Sequence, residues 1–263
     1  MEYFTVIKSR QNARYKALLK TLSGKLPAGV LVLEGKRLVM DALNSDITPE
    51  LLVFADDPAG LKMHAELKDV ASESLVLAED LFKRLSDTVT PQGVLMLAAK
   101  EERDEDALLH APAGATLILD GLSDPGNVGT LTRSAEAFGF DHIIYRSDGV
   151  SPLSRKAVRA SMGSILRQQV FRVHNVAAVV DRWTRESTPV YALDMDGRPL
   201  HELERTDGGF ALIVGNEAQG ISEAVRKTKV IPLSIPMEGR VESLNAAVAG
   251  AIAMYELGGK RCR

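Results

Sequence analysis

Apolar and polar positions along the chain follow two rhythms, and each predicts an element type. In the first hundred residues, short apolar runs alternate with stretches of helical period. VLVLEGKRLVMDAL is a β-rich run and then a helix with Leu38, Val39, Ala42 and Leu43 in phase. LLVFA is a strand, followed by a helix through Leu61 and Leu67. SLVLA is strand-like, AEDLFKRLSD is helical, and GVLMLAA is a further strand after the turn Thr90-Pro91-Gln92-Gly93. This alternation predicts a small α/β domain over residues 1–100. A second set follows: TLILDGL, then the loop DPGNVG and the helix TLTRSAEAFG, which stops at Gly139. HIIY, VYALDM and FALIVGNE are further strands, and SPLSRKAVRAS opens a helix with Pro152 at an early position. These runs are apolar almost throughout, as in a parallel sheet covered on both faces. The segment from Ile231 to Glu256 carries Pro232 and Pro236, a polar turn at Glu238-Gly239-Arg240, and then Leu244, Val248, Ala251, Ile252 and Tyr255 at helical spacing. That last helix is apolar nearly all round, so it belongs in a core or against a partner.

Charge divides the chain the same way. The formal net charge over 263 residues is -3, which alone argues against nucleic acid. Its distribution changes that picture. Residues 1–100 carry 13 basic and 13 acidic side chains, residues 101–113 carry one and five, and residues 114–263 carry 18 and 17. The acid excess thus sits in EERDEDALLHAPA, which reads as an acidic linker over 101–113 ahead of a second domain at 114–263. No acidic residue falls between Tyr3 and Leu33, where Lys8, Arg10, Arg14, Lys16, Lys20 and Lys25 cluster. SRQNARYKALLKTL there predicts a helix with Leu18, Leu19 and Leu22 on its apolar side and either a solvated basic face or a phosphate-contacting patch. The single cysteine, Cys262, rules out a disulfide within the chain and fits a reducing, cytoplasmic setting. No apolar run reaches membrane-spanning length and no signal peptide is expected.

Candidate chemistry narrows by elimination. The sequence has no G-x-G pair, no phosphate-binding G-x(4)-G-K-[ST] loop and no G-x-S-x-G elbow. Its five histidines form no H-x-x-x-H pair, so no metal is expected. Three loops remain, at or after strand ends, where open α/β sheets place ligands. One is Asp124-Pro125-Gly126-Asn127-Val128-Gly129, leading to Arg133 and Glu136. Asn127 is placed either to cap that helix or to act in a site, and Arg133 with Glu136 is spaced as a surface ion pair. Another is Gly215-Asn216-Glu217-Ala218-Gln219-Gly220, whose glycines let backbone approach a ligand. The last holds Glu242, Ser243 and Asn245 at the entrance of the final helix, as caps or site residues.

Taken in order, DPGNVGTLTRSAEAFG, IVGNEAQGIS and IPLSIPMEGRVESLNAAVAGAIAMYE resemble the SpoU or TrmH family of RNA 2′-O-ribose methyltransferases, over residues 117–256. Residues 4–98 resemble the substrate-binding domain of the ribosomal RNA members. The resemblance implies a parallel-sheet domain with a C-terminal trefoil knot, S-adenosylmethionine as cofactor, RNA as substrate and a homodimer. The function implied is methyl transfer to a ribose 2′-hydroxyl in ribosomal RNA. A transfer RNA enzyme and a non-catalytic RNA-binding member are the alternatives. Carried over by motif position, Asn127, Arg133, Glu217, Ser243 and Asn245 are the expected catalytic set. Leu193, Gly215, Gly220, Ile235, Met237 and Leu244 are the expected cofactor contacts. Arg133 is expected to stabilise charge and to position rather than act as a base, with Glu217 holding either Arg133 or the helix entrance. Asn216 falls at a variable position, so its role stays open. For Arg10, Arg14, Lys16, Lys36 and Arg37, and for Arg155, Lys156 and Arg159, the alternatives are contact with RNA phosphate and an ordinary exposed basic residue.

Overall fold

The apolar runs sort into two sheets in the computed structural model, which describes residues 4–24, 26–27, 29–45, 47–111, 113–203, 208–239 and 243–261. Lys25, Arg240, Glu242 and Cys262, singled out above, lie outside the described residues. The chain forms two compact units, one of residues 1–100 with Leu153–Arg155 and one of residues 101–152 and 156–263.

The first unit is a five-stranded sheet with four helices. Its elements are β1 (Val6–Ile7), α1 (Ala13–Ser23), β2 (Val30–Glu34), α2 (Lys36–Leu43), β3 (Pro49–Ala55), α3 (Pro58–Leu67), β4 (Glu73–Leu77), α4 (Glu79–Leu85) and β5 (Val94–Ala99). The strand order is β1-β4-β3-β5-β2, with β5 antiparallel to both neighbours and the other pairs parallel. Strand β1 was not expected from the sequence, because two residues are too few to show a period. Helix α1 starts where the Asn12 side chain accepts from the N–H groups of Arg14 and Tyr15, at 2.9 and 3.3 Å. It buries Tyr15, Leu18 and Leu22 and leaves Lys16 and Lys20 outside.

The second unit is a seven-stranded sheet in which every pairing is parallel. Its elements are β6 (Glu102–Asp104), β7 (Ala115–Asp120), α5 (Pro125–Ala137), β8 (Phe140–Arg146), α6 (Arg155–Ala160, whose first residue groups with the first unit), β9 (Gln169–Val173), α7 (Val176–Arg185), β10 (Val190–Pro199), β11 (Phe210–Gly215), α8 (Glu223–Arg226), β12 (Ile231–Ser234) and α9 (Ala246–Arg261). The order is β12-β10-β11-β7-β8-β9-β6. All six residues of β7 and of β11 are buried, as central parallel strands require. Helix α7 covers one face through Val176, Val179, Val180 and Trp183, which share a core with Ile118, Ile144 and Phe171. Elsewhere in the unit α9 packs against α5, and the contact is close because position 250 is glycine. A Cβ there would lie 2.3 Å from the Leu131 side chain. Helix α6 begins three residues after Pro152, so that proline stands outside the helix rather than in its first turn.

The stretch 101–113 is not a free linker. Residues Glu102–Asp104 form the edge strand β6 beside β9, and a 3-10 turn follows at Glu105–Leu108. Leu108 is fully buried, and its carbonyl accepts from the Trp183 indole at 3.4 Å. The acids find donors: the Tyr145 phenol gives to Glu102 at 2.6 Å, and the His174 N–H gives to Glu105 at 3.0 Å. Burial and the Glu102 carboxylate push the Tyr145 phenol up. An edge strand rich in charge also resists pairing with another sheet. Composition suggested a linker because side-chain charge says nothing about which backbone edge is free.

Candidate active site

Three loops of the second unit meet, and Asn127, Glu217 and Asn245, which the motifs single out, are among the residues that join them. Strand β7 ends at Asp120, and the chain turns through Gly121–Ser123 into α5. The cap of that helix is Asp124, which accepts from the Gly126 N–H at 2.8 Å, with Pro125 in the first turn. Asn127 is therefore not the cap. It sits in the first turn, buried, with its amide turned to other loops.

The loop after β11 folds back on itself. Asn216 and Gly220 exchange backbone hydrogen bonds at 2.8 Å each way. A Cβ at Gly215 would lie 2.3 Å from the Gly220 carbonyl carbon, so only glycine permits this return. Asn216 fastens the loop: its Oδ1 accepts from Ala218 and Gln219, and its Nδ2 donates to the Gly121 carbonyl at 2.8 Å. The role left open for Asn216 is thus a fastener between two loops.

Glu217 is the meeting point. Oε2 accepts from the Ser123 N–H at 3.1 Å and the Ser123 hydroxyl at 2.8 Å. Oε1 accepts from the Asp124 N–H at 3.1 Å and from Asn127 Nδ2 at 3.0 Å. Partial burial alone would raise this carboxyl, but the hydrogen bonds from Asn127 and Ser123 outweigh it and hold the pKa at about 2. Of the two roles expected for Glu217, the structure shows the helix entrance and not Arg133. Ser123 belongs to this cluster and was missed; a lone serine before an aspartate carries no signal of a partner so far along the chain.

The third loop completes the run. Asn245 caps α9 by accepting from the N–H groups of Ala247 and Val248, at 2.9 and 3.2 Å. Its Nδ2 donates to Asn127 Oδ1 at 3.0 Å. Asn245 is both cap and link, so the two readings offered for it are not exclusive. A hydrogen-bonded line Asn245–Asn127–Glu217 therefore spans all three loops.

Beside this line lies a cavity of about 330 Å³. Leu193, Gly215, Gly220, Ile235, Met237 and Leu244 all line it, together with Glu217 and Ser243. Asn127 and Arg133 do not. Arg133 is exposed on α5, and its guanidinium has no hydrogen bond or ion pair among the described residues. Its expected neighbour on the helix, Glu136, is taken by Arg167 instead, with one contact at 3.0 Å. The wall is not purely apolar. Asp194 and Arg226 line it too, joined as an ion pair.

The basic residues expected to meet RNA differ in availability. Lys36 and Arg37 are exposed in the first turn of α2, and Lys156 and Arg159 are exposed on α6. Arg10 and Arg14 pair with Asp80 at 3.7 Å and Glu73 at 3.2 Å, and Lys16 meets Gln11, all at the surface. Arg155 is different. Its side chain is 13% exposed, and it is held within the first unit by Asp87 at 3.1 Å, Glu34 at 3.6 Å and the Leu85 carbonyl at 2.8 Å. That arginine is committed to structure, not to phosphate.

Comparison with known proteins gives the family of both parts of the chain. The profile of the SpoU rRNA Methylase family matches residues 114–255, and that of an MRM3-like substrate binding domain matches residues 18–96. The 23S rRNA (guanosine(2553)-2′-O)-methyltransferase RlmP of Bacillus subtilis (strain 168) is 33% identical over 257 residues, 96% of this chain and 99% of that protein. The crystal structure of an AdoMet-bound rRNA methyltransferase from Sinorhizobium meliloti superposes with a TM-score of 0.81 at 27% identity, over 96% of this chain and 97% of the other. The SpoU methyltransferase AviRb from Streptomyces viridochromogenes, in complex with AdoMet, gives 0.79 at 26% identity, over 95% and 99%.

Proposed function

The chain belongs to the SpoU rRNA Methylase family, and from that premise we propose that it transfers a methyl group from S-adenosylmethionine to a ribose 2′-hydroxyl of ribosomal RNA. The observation that carries this reading is the line Asn245–Asn127–Glu217, which ties three distant loops together beside a ligand-sized cavity. The cavity fits an adenosyl group: leucine, isoleucine and methionine side chains offer apolar contact, and the Gly215–Gly220 turn offers backbone at close approach. Leu193, Gly215, Gly220, Ile235, Met237 and Leu244 would hold it. When bound, S-adenosylmethionine supplies a methyl group already activated for transfer.

The protein's tasks are then alignment and charge control. Holding two reactants in line lowers the barrier by several kcal/mol, up to about 7–11 in the best cases. Arg133 has the chemistry for the charge. Its guanidinium stays protonated at any ordinary pH, so it is no base. It holds a substrate phosphate in its fork and steadies negative charge growing on the 2′-oxygen. The proton of the 2′-hydroxyl would leave to phosphate or water, with Arg133 beside the oxygen that loses it. Glu217 and Asn127 set the entrance of α5, and so the direction in which Arg133 is presented. Ser243 and Asn245 shape the turn that faces the ribose.

Two further features complete the reading. Supporting a trefoil knot, the chain after the edge strand β12 returns to the sheet's interior, where α9 packs on α5 and β11. Supporting a homodimer, α9 exposes Val248, Ile252 and Tyr255 at 49%, 39% and 61%, spaced as one helical stripe. We assign RNA phosphates to Arg10, Arg14, Lys16, Lys36, Arg37 and Arg159. The surface ion pairs of Arg10 and Arg14 exchange for phosphate at little cost, since such pairs are worth about 0–1 kcal/mol. No described helix is long and apolar enough to cross a membrane, and a cytoplasmic setting suits this substrate.

Incubation with labelled S-adenosylmethionine and ribosomal or transfer RNA, followed by mapping of 2′-O-methyl positions, tests the proposal. Label on ribosomal RNA ribose is expected. Label confined to transfer RNA or to a base would overturn it.

A further inference from the structure

The cavity carries one charged pair that the mechanism above does not use. Asp194 follows Leu193 in β10, and its side chain is 12% exposed. Arg226 ends α8; its guanidinium meets the Asp194 carboxylate, and its Nε donates to the Ile221 carbonyl at 3.2 Å. Both residues line the cavity. The remaining charged residue of the described lining, Glu217, has its oxygens filled by Ser123, Asp124 and Asn127. Among the described lining residues, Asp194 and Arg226 are therefore the charges left to face a ligand.

A partly exposed ion pair is a weak clasp between β10 and α8. It suits a ligand that itself carries both charges. A guanidinium receives a carboxylate in a fork, and a carboxylate receives an ammonium. The amino-acid end of S-adenosylmethionine presents that set, while its adenosine needs an apolar wall, which Leu233, Ile235, Met237 and Leu244 provide. We propose that Asp194 and Arg226 form the subsite for the amino-acid end of the methyl donor, Arg226 taking the α-carboxylate and Asp194 the α-ammonium. This rests on the reading of the cavity as the donor site. The ion pair holds both side chains at the wall before the donor enters, so little ordering remains when the cross-pairs form.

Titration calorimetry on the full chain tests it with two ligands. S-Adenosylmethionine has the amino-acid end; 5′-methylthioadenosine keeps the adenosine and the sulfur but lacks it. In Asp194→Asn and Arg226→Gln, affinity for S-adenosylmethionine should fall roughly 10–100-fold, as expected for a charge-assisted hydrogen bond. Affinity for 5′-methylthioadenosine should stay within about twofold, which also shows that the variants are folded. Arg226→Lys, which keeps the charge and loses the fork, should fall between. Equal losses for both ligands would overturn the subsite and leave the pair as a clasp. Unchanged binding of S-adenosylmethionine would overturn it as well. A wild-type protein that binds neither ligand would overturn the reading of the cavity itself, and the subsite with it.

Discussion

Glu217→Gln tests the centre of the site. The carboxylate accepts from Ser123 twice, from Asp124 and from Asn127, at 2.8 to 3.1 Å. An amide has one oxygen and one NH2 group, so donors on one side of the glutamine would meet another donor. The depression of the carboxyl from 4.5 to about 2 is the net of these contacts over the opposing effect of burial. At 1.36 kcal/mol per pH unit it corresponds to about 3 kcal/mol. Glu217 is exposed, so solvent screening brings the expected stability loss to about 1–2 kcal/mol. The sign with pH follows from the direction. A carboxyl depressed on folding contributes fully above its unfolded value, and the contribution fades as pH falls from 4.5 towards about 2. The gap between wild type and variant should therefore be about 1–2 kcal/mol at pH 7 and narrow by about half near pH 3. The single tryptophan, Trp183, is fully buried in the core of the second unit, so its fluorescence during urea unfolding reads that unit. A gap of the same size at both pH values, or no gap, would refute the reasoning. Methyl transfer should fall together with stability, because the same bonds set the entrance of α5.

Arg133→Ala should abolish methyl transfer and leave S-adenosylmethionine affinity within about twofold by calorimetry, since Arg133 does not line the cavity; comparable turnover would sink its role. A fragment of residues 101–263 should fold and bind the cofactor but hold RNA weakly in filter binding. A fragment of 114–263 should be less stable by several kcal/mol, because it loses β6 and the buried Leu108; equal urea midpoints would show that the edge strand is dispensable. Ile252→Glu places a charge in the exposed stripe of α9 and should convert a dimer to monomer by light scattering, with the chain still folded. A monomeric wild type would remove the homodimer from the reading.

The acidic stretch shows how far local reading reaches. Its charge was visible, but its pairing with β9 depends on a sheet edge assembled from residues far along the chain. Arg155 teaches the same lesson. One basic residue among Arg155, Lys156 and Arg159 looks like another in sequence, yet Glu34, Asp87 and the Leu85 carbonyl hold Arg155 within the first unit. For Asn127 the sequence left a cap and a site residue as alternatives; Asp124 holds the cap position, three residues earlier, and leaves the Asn127 amide to Glu217. The charged pair Asp194–Arg226 carried no signal, since neither residue stands in a motif.

By itself the sequence determined the alternation of strand and helix, the apolar strands of a covered parallel sheet, and the three polar loops that meet at the candidate site. These are local properties, set by periods of a few residues and by side chains fixed in order along the backbone. Only the tertiary structure decided the strand order β12-β10-β11-β7-β8-β9-β6, and the joining of Asn127 to Glu217 and to Asn245, 90 and 118 residues away. Such partners are selected by which arrangement buries all the apolar strands at once and leaves the fewest polar groups unpaired, a condition on the whole chain that no short window contains.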